Sequence, residues 1–237
     1  AGHEAKHAEN YRINSFHLGE GSPKQKFRAN MDAIYTLKTL ENQNRDATPE
    51  EQETLANYVG WGGLADAFDA EKTAWAGEYK ELKAALTEEE YAAARASTLN
   101  AHYTSPTVIR AIYEALDGMG FEKGNILEPS MGVGNFFGML PDSMLGSRLY
   151  GVELDSITGR IAQKLYPQAE IKVAGFETTD HRDFYDLAVG NVPFGNYRVS
   201  DKPYDKLGFS IHNYFFAKAL DQVRPGGIVA FVTSRYT

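Results

Sequence analysis

No cysteine occurs among the 237 residues, so disulfides and thiolate-ligated metal centres are excluded. No apolar run approaches the roughly 20 residues that a membrane-spanning helix needs. The opening AGHEAKHAEN is polar and lacks the basic-then-apolar order of a secretory signal. Positive charge is also short: the formal net charge is −8, and residues 1–100 carry 17 Asp and Glu against 11 Lys and Arg. Phosphate contacts dominate the affinity of self-sufficient nucleic-acid binders, and this balance argues against one. It is compatible with a catalytic domain that borrows its grip on nucleic acid from elsewhere. No internal repeat or low-complexity linker is present. A reducing, cytoplasmic setting without membrane contact is the expectation. With six histidines spread along the chain, no metal site is expected.

What is present divides in two. Residues 1–100 read as a helical region. Phe27, Met31, Ile34 and Leu37 recur at helical spacing. Thr48-Pro49-Glu50-Glu51 is a capping box with proline at the first helical position; it predicts a helix through Leu55 to Tyr58-Val59, ended by Gly60. Thr87-Glu88-Glu89-Glu90 opens another helix through Tyr91 and Ala94. Between them lies GWGGL (60–64), a glycine-rich turn around Trp61, which reads as a packing anchor rather than a platform for a base.

From residue 101 to 237 strands and helices alternate. Ser105-Pro106 starts a helix with Ile109, Ile112, Tyr113 and Leu116 on one face. Strands are predicted at 125–130, 148–154, 170–176, 185–191 and 226–234, with helices around Phe136-Phe137, over 156–166 and over 211–223. Such alternation predicts a parallel sheet covered on both faces, an α/β fold that is Rossmann-like. Ligands of such sheets bind beyond the carboxyl ends of the strands, at the topological switch point. The chain ends just after its fifth strand, so a C-terminally incomplete sheet is expected.

LEPSMGVGNFFG (127–138) follows the first of these strands. Gly132 and Gly134 permit a tight turn and close backbone approach to a ligand. Glu153 ends the second strand at the spacing of about 20 residues where such folds place a ribose-binding acid. Glu128 stands in the turn's approach, where a carboxylate repels a pyrophosphate and attracts an ammonium. Ribose and positive charge together describe S-adenosylmethionine.

The fourth strand runs into Asn191-Val192-Pro193-Phe194. An aromatic amino group is a poor nucleophile because its lone pair is delocalised into the ring. Two acceptors that take its N–H groups push the nitrogen towards a tetrahedral, reactive geometry. The Asn191 amide oxygen supplies one, and the backbone carbonyl at Pro193 can supply the other. Phe194 can stack on a base turned out of its helix, at roughly 1–3 kcal/mol per base.

These segments, in this order, resemble adenine-specific DNA methyltransferases. HYTSP (102–106) resembles that family's opening motif, LEPSMGVGNFF its principal cofactor loop, YGVELD (150–155) its ribose-binding acid, NVPF its catalytic tetrapeptide and RPGGIVAFVTS (224–234) a later structural strand. The helical region, with FRANMDAIYTLKTLE and YVGWGGL, is similar to large proteins of conjugative elements and phages that join such a domain to a helicase. The resemblance implies an S-adenosylmethionine-dependent methyltransferase fold acting on N6 of adenine in DNA. Tyr103, Thr104, Glu128, Ser130, Gly132, Gly134, Glu153 and Phe176 would bind the cofactor, and Asn191, Pro193 and Phe194 would be catalytic. DNA, together with missing C-terminal regions of the same polypeptide for target recognition and helicase action, would be the partners. Val192 stands where the family usually has a first proline, and Gly175 where an acid usually precedes the aromatic. Two rival readings stay open: a methyltransferase of protein glutamine or RNA, and a non-catalytic module that binds DNA or cofactor. Arg198, Lys202 and Lys206, with Tyr197 and Tyr204, form either a DNA-facing loop or a solvated one. His102 reads as a loop residue rather than a ligand.

Overall fold

A computed structural model describes residues 8–15, 19–99 and 103–234. Five strands, β1 (Asn125–Glu128), β2 (Arg148–Glu153), β3 (Glu170–Val173), β4 (Tyr185–Asn191) and β5 (Val223–Val232), form one parallel sheet in the order β3-β2-β1-β4-β5. The chain moves outward from β1 to β3, then crosses back to place β4 on the other side of β1. The switch point therefore lies between β1 and β4, where Ile126 pairs with Leu187 and Leu127 with Ala188. Their carboxyl ends carry Glu128 and Asn191.

Around the sheet lie α5 (Pro106–Gly118), the short α6 (Asn135–Gly138), α7 (Ser156–Leu165) and α8 (Ile211–Gln222). Before them come α1 (Pro23–Asn42), α2 (Pro49–Ala56), α3 (Ala76–Ala85) and α4 (Glu88–Ala96). The starts of α1, α2 and α4 are set by reciprocal capping boxes, Ser22 with Gln25, Thr48 with Glu51 and Thr87 with Glu90; each satisfies two orphan amides. The helix opened by Thr48 stops at Ala56, short of the expected Val59. Asn57 caps it in the right-handed region, and the amide of Val59 is taken instead by Asn30 Oδ1 at 2.9 Å. The fifth strand starts at Val223, ahead of the expected Gly226.

The helices of the N-terminal region share one buried cluster with the α/β part, from Phe27, Met31 and Leu37 to Ile109, Phe136, Ile161 and Leu187. Residues 8–15 lie along the α/β part: the Tyr11 amide donates to the Leu165 carbonyl at 2.8 Å, and the Ile13 amide to Gly138 at 2.9 Å. Arg160 on α7 donates to Glu41 on α1 at 2.7 Å and to Glu90 on α4 at 3.0 Å. Burial pushes the Glu90 carboxyl up. The Thr87 backbone amide, Arg160 and Lys38 outweigh this and hold it at about 2. A carboxyl depressed in the folded chain contributes stability above its unfolded value of 4.5, and this is lost as pH falls towards 2. Glu90→Gln should therefore lower the melting temperature at pH 6 to 7, with the difference from the parent shrinking below pH 4.5; a difference constant with pH would overturn this. Among the described residues no helix is long and apolar enough to cross a membrane.

Candidate functional site

A cleft of about 450 Å³ opens at the β1/β4 switch point, within the usual range for small-molecule sites. From the α/β part it is lined by Tyr103, Thr104, Glu128, Ser130, Gly132, Glu153, Asp155, Asn191 and Pro193. These residues come from four chain segments, brought together because β1, β2 and β4 are neighbours that all end on one edge.

The floor is the turn after β1. Gly132 has φ +56°, a left-handed conformation that disfavours side chains, and a Cβ there would project into open space. Its amide donates to Glu153 Oε2 at 2.8 Å, and the Asp155 amide donates to Glu153 Oε1 at 3.0 Å. Each oxygen keeps a lone pair for a ligand hydroxyl. Burial raises the Glu153 carboxyl, and these two amides temper the rise. Glu128 is 2% exposed, and its Oε2 has no partner. Burial, reinforced by the charge on Glu153, pushes its carboxyl well above the usual carboxylate range. Protonation of the expected anion is therefore favoured until a cation arrives. Gly190, at φ +149°, lies against it, and a Cβ there would stand 3.1 Å from Glu128 Cγ.

The wall is Asn191. Its Nδ2 donates to Thr104 Oγ1 at 3.0 Å, which orients the amide. Its Oδ1 is buried and without a partner. An orphaned acceptor of this kind costs roughly 1–3 kcal/mol, so the folded chain holds it ready for an incoming donor. Val192 is 1% exposed, and its amide donates to the Val232 carbonyl at 3.1 Å. This N–H, which a proline would lack, extends the β4/β5 ladder and stiffens the tetrapeptide. Val192→Pro should lower stability by about 1 kcal/mol or more through that lost bond, read as a lower melting temperature with no gain in activity; an unchanged melting temperature would refute the role given to the valine.

Three expected site residues do not line the cleft. Phe176 turns inward in the bend after β3, is 2% exposed and packs on Phe215 at 4.9 Å. Gly134 is needed for packing: a Cβ there would meet Tyr166 at 2.5 Å. Phe194 is 38% exposed, on the rim beyond Pro193. Of the loop that follows, Arg198, Lys202, Lys206 and Tyr197 are exposed, whereas Tyr204 is an anchor that donates to Asp221 at 2.6 Å. Asp201 ties the same loop to α8, accepting from Tyr214 and Lys218 at 2.6 Å each.

The cleft also has a wall from the helical region: Lys26, Tyr58, Val59, Gly60, Trp61 and Gly62. Trp61 is 3% exposed and meets Phe68 edge-on at 5.3 Å, the expected packing anchor. The wall is clamped by the fully buried Asn30, whose Nδ2 donates to the Gly60 carbonyl at 2.6 Å while its Oδ1 takes the Val59 amide. Of this wall, sequence reasoning reached only Trp61, as a packing anchor beside the cofactor entrance. The detectable signal was a polar residue, Asn30, inside the apolar face of α1. His3, His7, His17 and His102 lie outside the described residues; among those described, no group of His, Cys, Asp and Glu could hold a metal ion.

No protein-family profile matches the chain. It is 28% identical over 220 residues to the defense against restriction protein B of Escherichia phage P1, an alignment covering 90% of this chain and 8% of that protein. It is 34% identical over 92 residues to the type II methyltransferase M.CvrRI of Paramecium bursaria Chlorella virus XZ-6E, covering 39% of this chain and 24% of that enzyme. The chain thus spans a quarter or less of the length of these relatives. Among solved structures, a Listeria monocytogenes protein described as a class I S-adenosylmethionine-dependent methyltransferase superposes with a TM-score of 0.47 at 13% identity, over 88% of this chain and 73% of that one. An O-methyltransferase from Bacillus cereus gives 0.34 at 17% identity, over 71% of each chain. The fold assignment rests on the strand order and the position of the glycine turn. The chain carries a Rossmann-like α/β domain with a five-stranded parallel sheet, similar in sequence to a phage defense-against-restriction protein and to a type II DNA methyltransferase.

Proposed function

We propose that this chain is the methyl-transfer domain of a DNA methyltransferase that uses S-adenosylmethionine and modifies the N6 amino group of adenine. The observation that carries the reading is the buried, unpartnered Asn191 Oδ1, in the same cleft as Gly132, Glu128 and Glu153. The residues present fit the cofactor. Gly132 leaves open space beside its backbone, Glu153 retains lone pairs for ribose hydroxyls, and the orphaned Glu128 has no partner until a cation is supplied. When bound, S-adenosylmethionine supplies a methyl group already activated on a sulfonium.

The chain's own residues do the rest. Asn191 Oδ1 accepts one N–H of the adenine amino group, and the backbone carbonyl at Pro193 accepts the other, which localises the nitrogen lone pair. Thr104 fixes the amide so that its oxygen, not its nitrogen, faces the cleft. Phe194, exposed on the rim, stacks on the extruded base. With reactants positioned and charge matched, no strong general base is required. Arg198, Lys202 and Lys206 meet phosphates on a loop whose base Asp201 holds rigid. The rest of the grip on DNA comes from further segments of a longer polypeptide, a target-recognition region and a helicase, as the net charge of −8 suggests.

Two measurements in series test this. Calorimetry with S-adenosylmethionine should show binding; none at millimolar cofactor sinks the cofactor assignment. Tritiated methyl transfer to mixed-sequence DNA by the full-length protein should then yield N6-methyladenine on nucleoside digestion. Label appearing only in RNA or in a protein glutamine would replace the DNA substrate with one of those.

A further inference from the structure

The helical region contributes one charged side chain to the cleft, and its sign is opposite to the others. Among the described lining residues, the carboxyl groups are Glu128, Glu153 and Asp155, and the only cation is Lys26. Lys26 is half-buried. Apart from its helical backbone bond, no hydrogen bond or ion pair engages it among the described residues. It lies on α1 one turn before Asn30, on the same helical face, and Asn30 is the residue that clamps Val59 and Gly60 into the cleft wall. Val59 in turn adjoins Tyr103: a Cβ on Gly19 would touch both, at 3.6 and 3.7 Å. Among the described residues Lys26 makes no ion pair with Glu128, Glu153 or Asp155, so its charge is open to a ligand in the cleft they share.

A half-buried, unpaired ammonium in a cleft whose other charged lining residues are carboxyl groups suits a zwitterionic ligand: cationic groups meet the carboxylates, and an anionic group meets the lysine. We infer that Lys26 binds the α-carboxylate of the cofactor's amino-acid portion, so that the helical region is part of the cofactor site and selects nucleosides bearing an amino acid over those without one. The inference rests on the cofactor reading given above. Glu128, deeper and orphaned, takes the ammonium of the same amino acid, and the two residues read its two charges separately.

The test uses binding rather than turnover. Affinities of S-adenosylhomocysteine and of 5′-deoxy-5′-methylthioadenosine, which lacks the amino-acid portion, are measured by calorimetry for the parent chain, Lys26→Met and Lys26→Arg. Methionine keeps the packing of the lysine stem. The expected result is that Lys26→Met weakens S-adenosylhomocysteine by about 10- to 100-fold, the range for a charge-assisted hydrogen bond. Methylthioadenosine should change less than about twofold, and Lys26→Arg should recover most of the loss. Equal losses for both ligands, or no loss for either, would overturn the inference while leaving the cofactor reading intact. So would a loss confined to DNA affinity, which would make Lys26 a phosphate contact. A parent chain that binds neither nucleoside would remove the cofactor reading and this inference with it.

Discussion

Replacing Asn191 with alanine should lower the rate of methyl transfer by about 10²- to 10³-fold, the usual effect of removing one preorganised polar group from the reacting centre, while cofactor affinity changes little. The physical reason is the division of labour within one side chain. Nδ2 is committed to Thr104, and Oδ1 is left as a buried acceptor with nothing to accept. Removing the side chain deletes an unsatisfied group, so stability should hold or rise slightly even as activity collapses. Asn191→Asp separates shape from charge: it keeps the acceptor but loses the donor to Thr104, so it should retain more activity than alanine. Single-turnover transfer at saturating cofactor, beside S-adenosylhomocysteine titration, distinguishes these effects. Full-rate transfer by the alanine variant would end the catalytic assignment. A parallel loss of cofactor affinity would move Asn191 from the substrate side to the cofactor side.

Glu128→Gln should do the reverse, stabilising the ligand-free protein and disabling the loaded one. The Glu128 carboxyl is raised in the folded chain by burial and by Glu153. A raised acid is protonated more readily in the folded than in the unfolded chain, so its contribution is fully present below the unfolded value of 4.5 and is lost as pH rises through the folded value. Glutamine has nothing to ionise. The melting temperature of the variant should exceed that of the parent by a margin that grows as pH rises above 4.5. A chain of this size gains about 2–4 °C per kcal/mol. A cationic ligand that pairs with Glu128 must displace its proton, so affinity for S-adenosylmethionine in the parent should strengthen with pH over the same window. In Glu128→Gln it should be weak and flatter with pH. A melting difference independent of pH would show that Glu128 is not held neutral.

Phe176 and Asn191 show where sequence reading succeeds and where it stops. Both were assigned by their place in a motif at a strand end. Asn191 ends β4 at the switch point, and β4 is legible as an apolar run between turn residues, so its position followed once strand alternation was read. Phe176 also follows a strand, yet its ring lies against Phe215 on α8. Which way a residue turns in a bend depends on what packs beneath it, and α8 lies far along the chain. Val192 has the same explanation. Its effect on the tetrapeptide depends on whether a neighbouring strand offers a carbonyl, and Val232 does.

By itself the sequence determined the local elements: the capping boxes at Thr48 and Thr87 that start two helices, the alternation that makes a parallel sheet, the glycine turn after β1 and the acids and amide at the strand ends. These depend on periods and spacings between near neighbours, which the order of residues states directly. Tertiary structure alone decided that the helical region walls the cleft, that Asn30 clamps Val59 and Gly60, that Glu128 is buried with an unpartnered oxygen and that Lys26 lines the same cleft unpaired. Those features depend on burial and on contacts between residues distant in the chain. Such contacts arise only when separate hydrophobic faces close on one core, and no local period encodes which charge is left without a partner when they do.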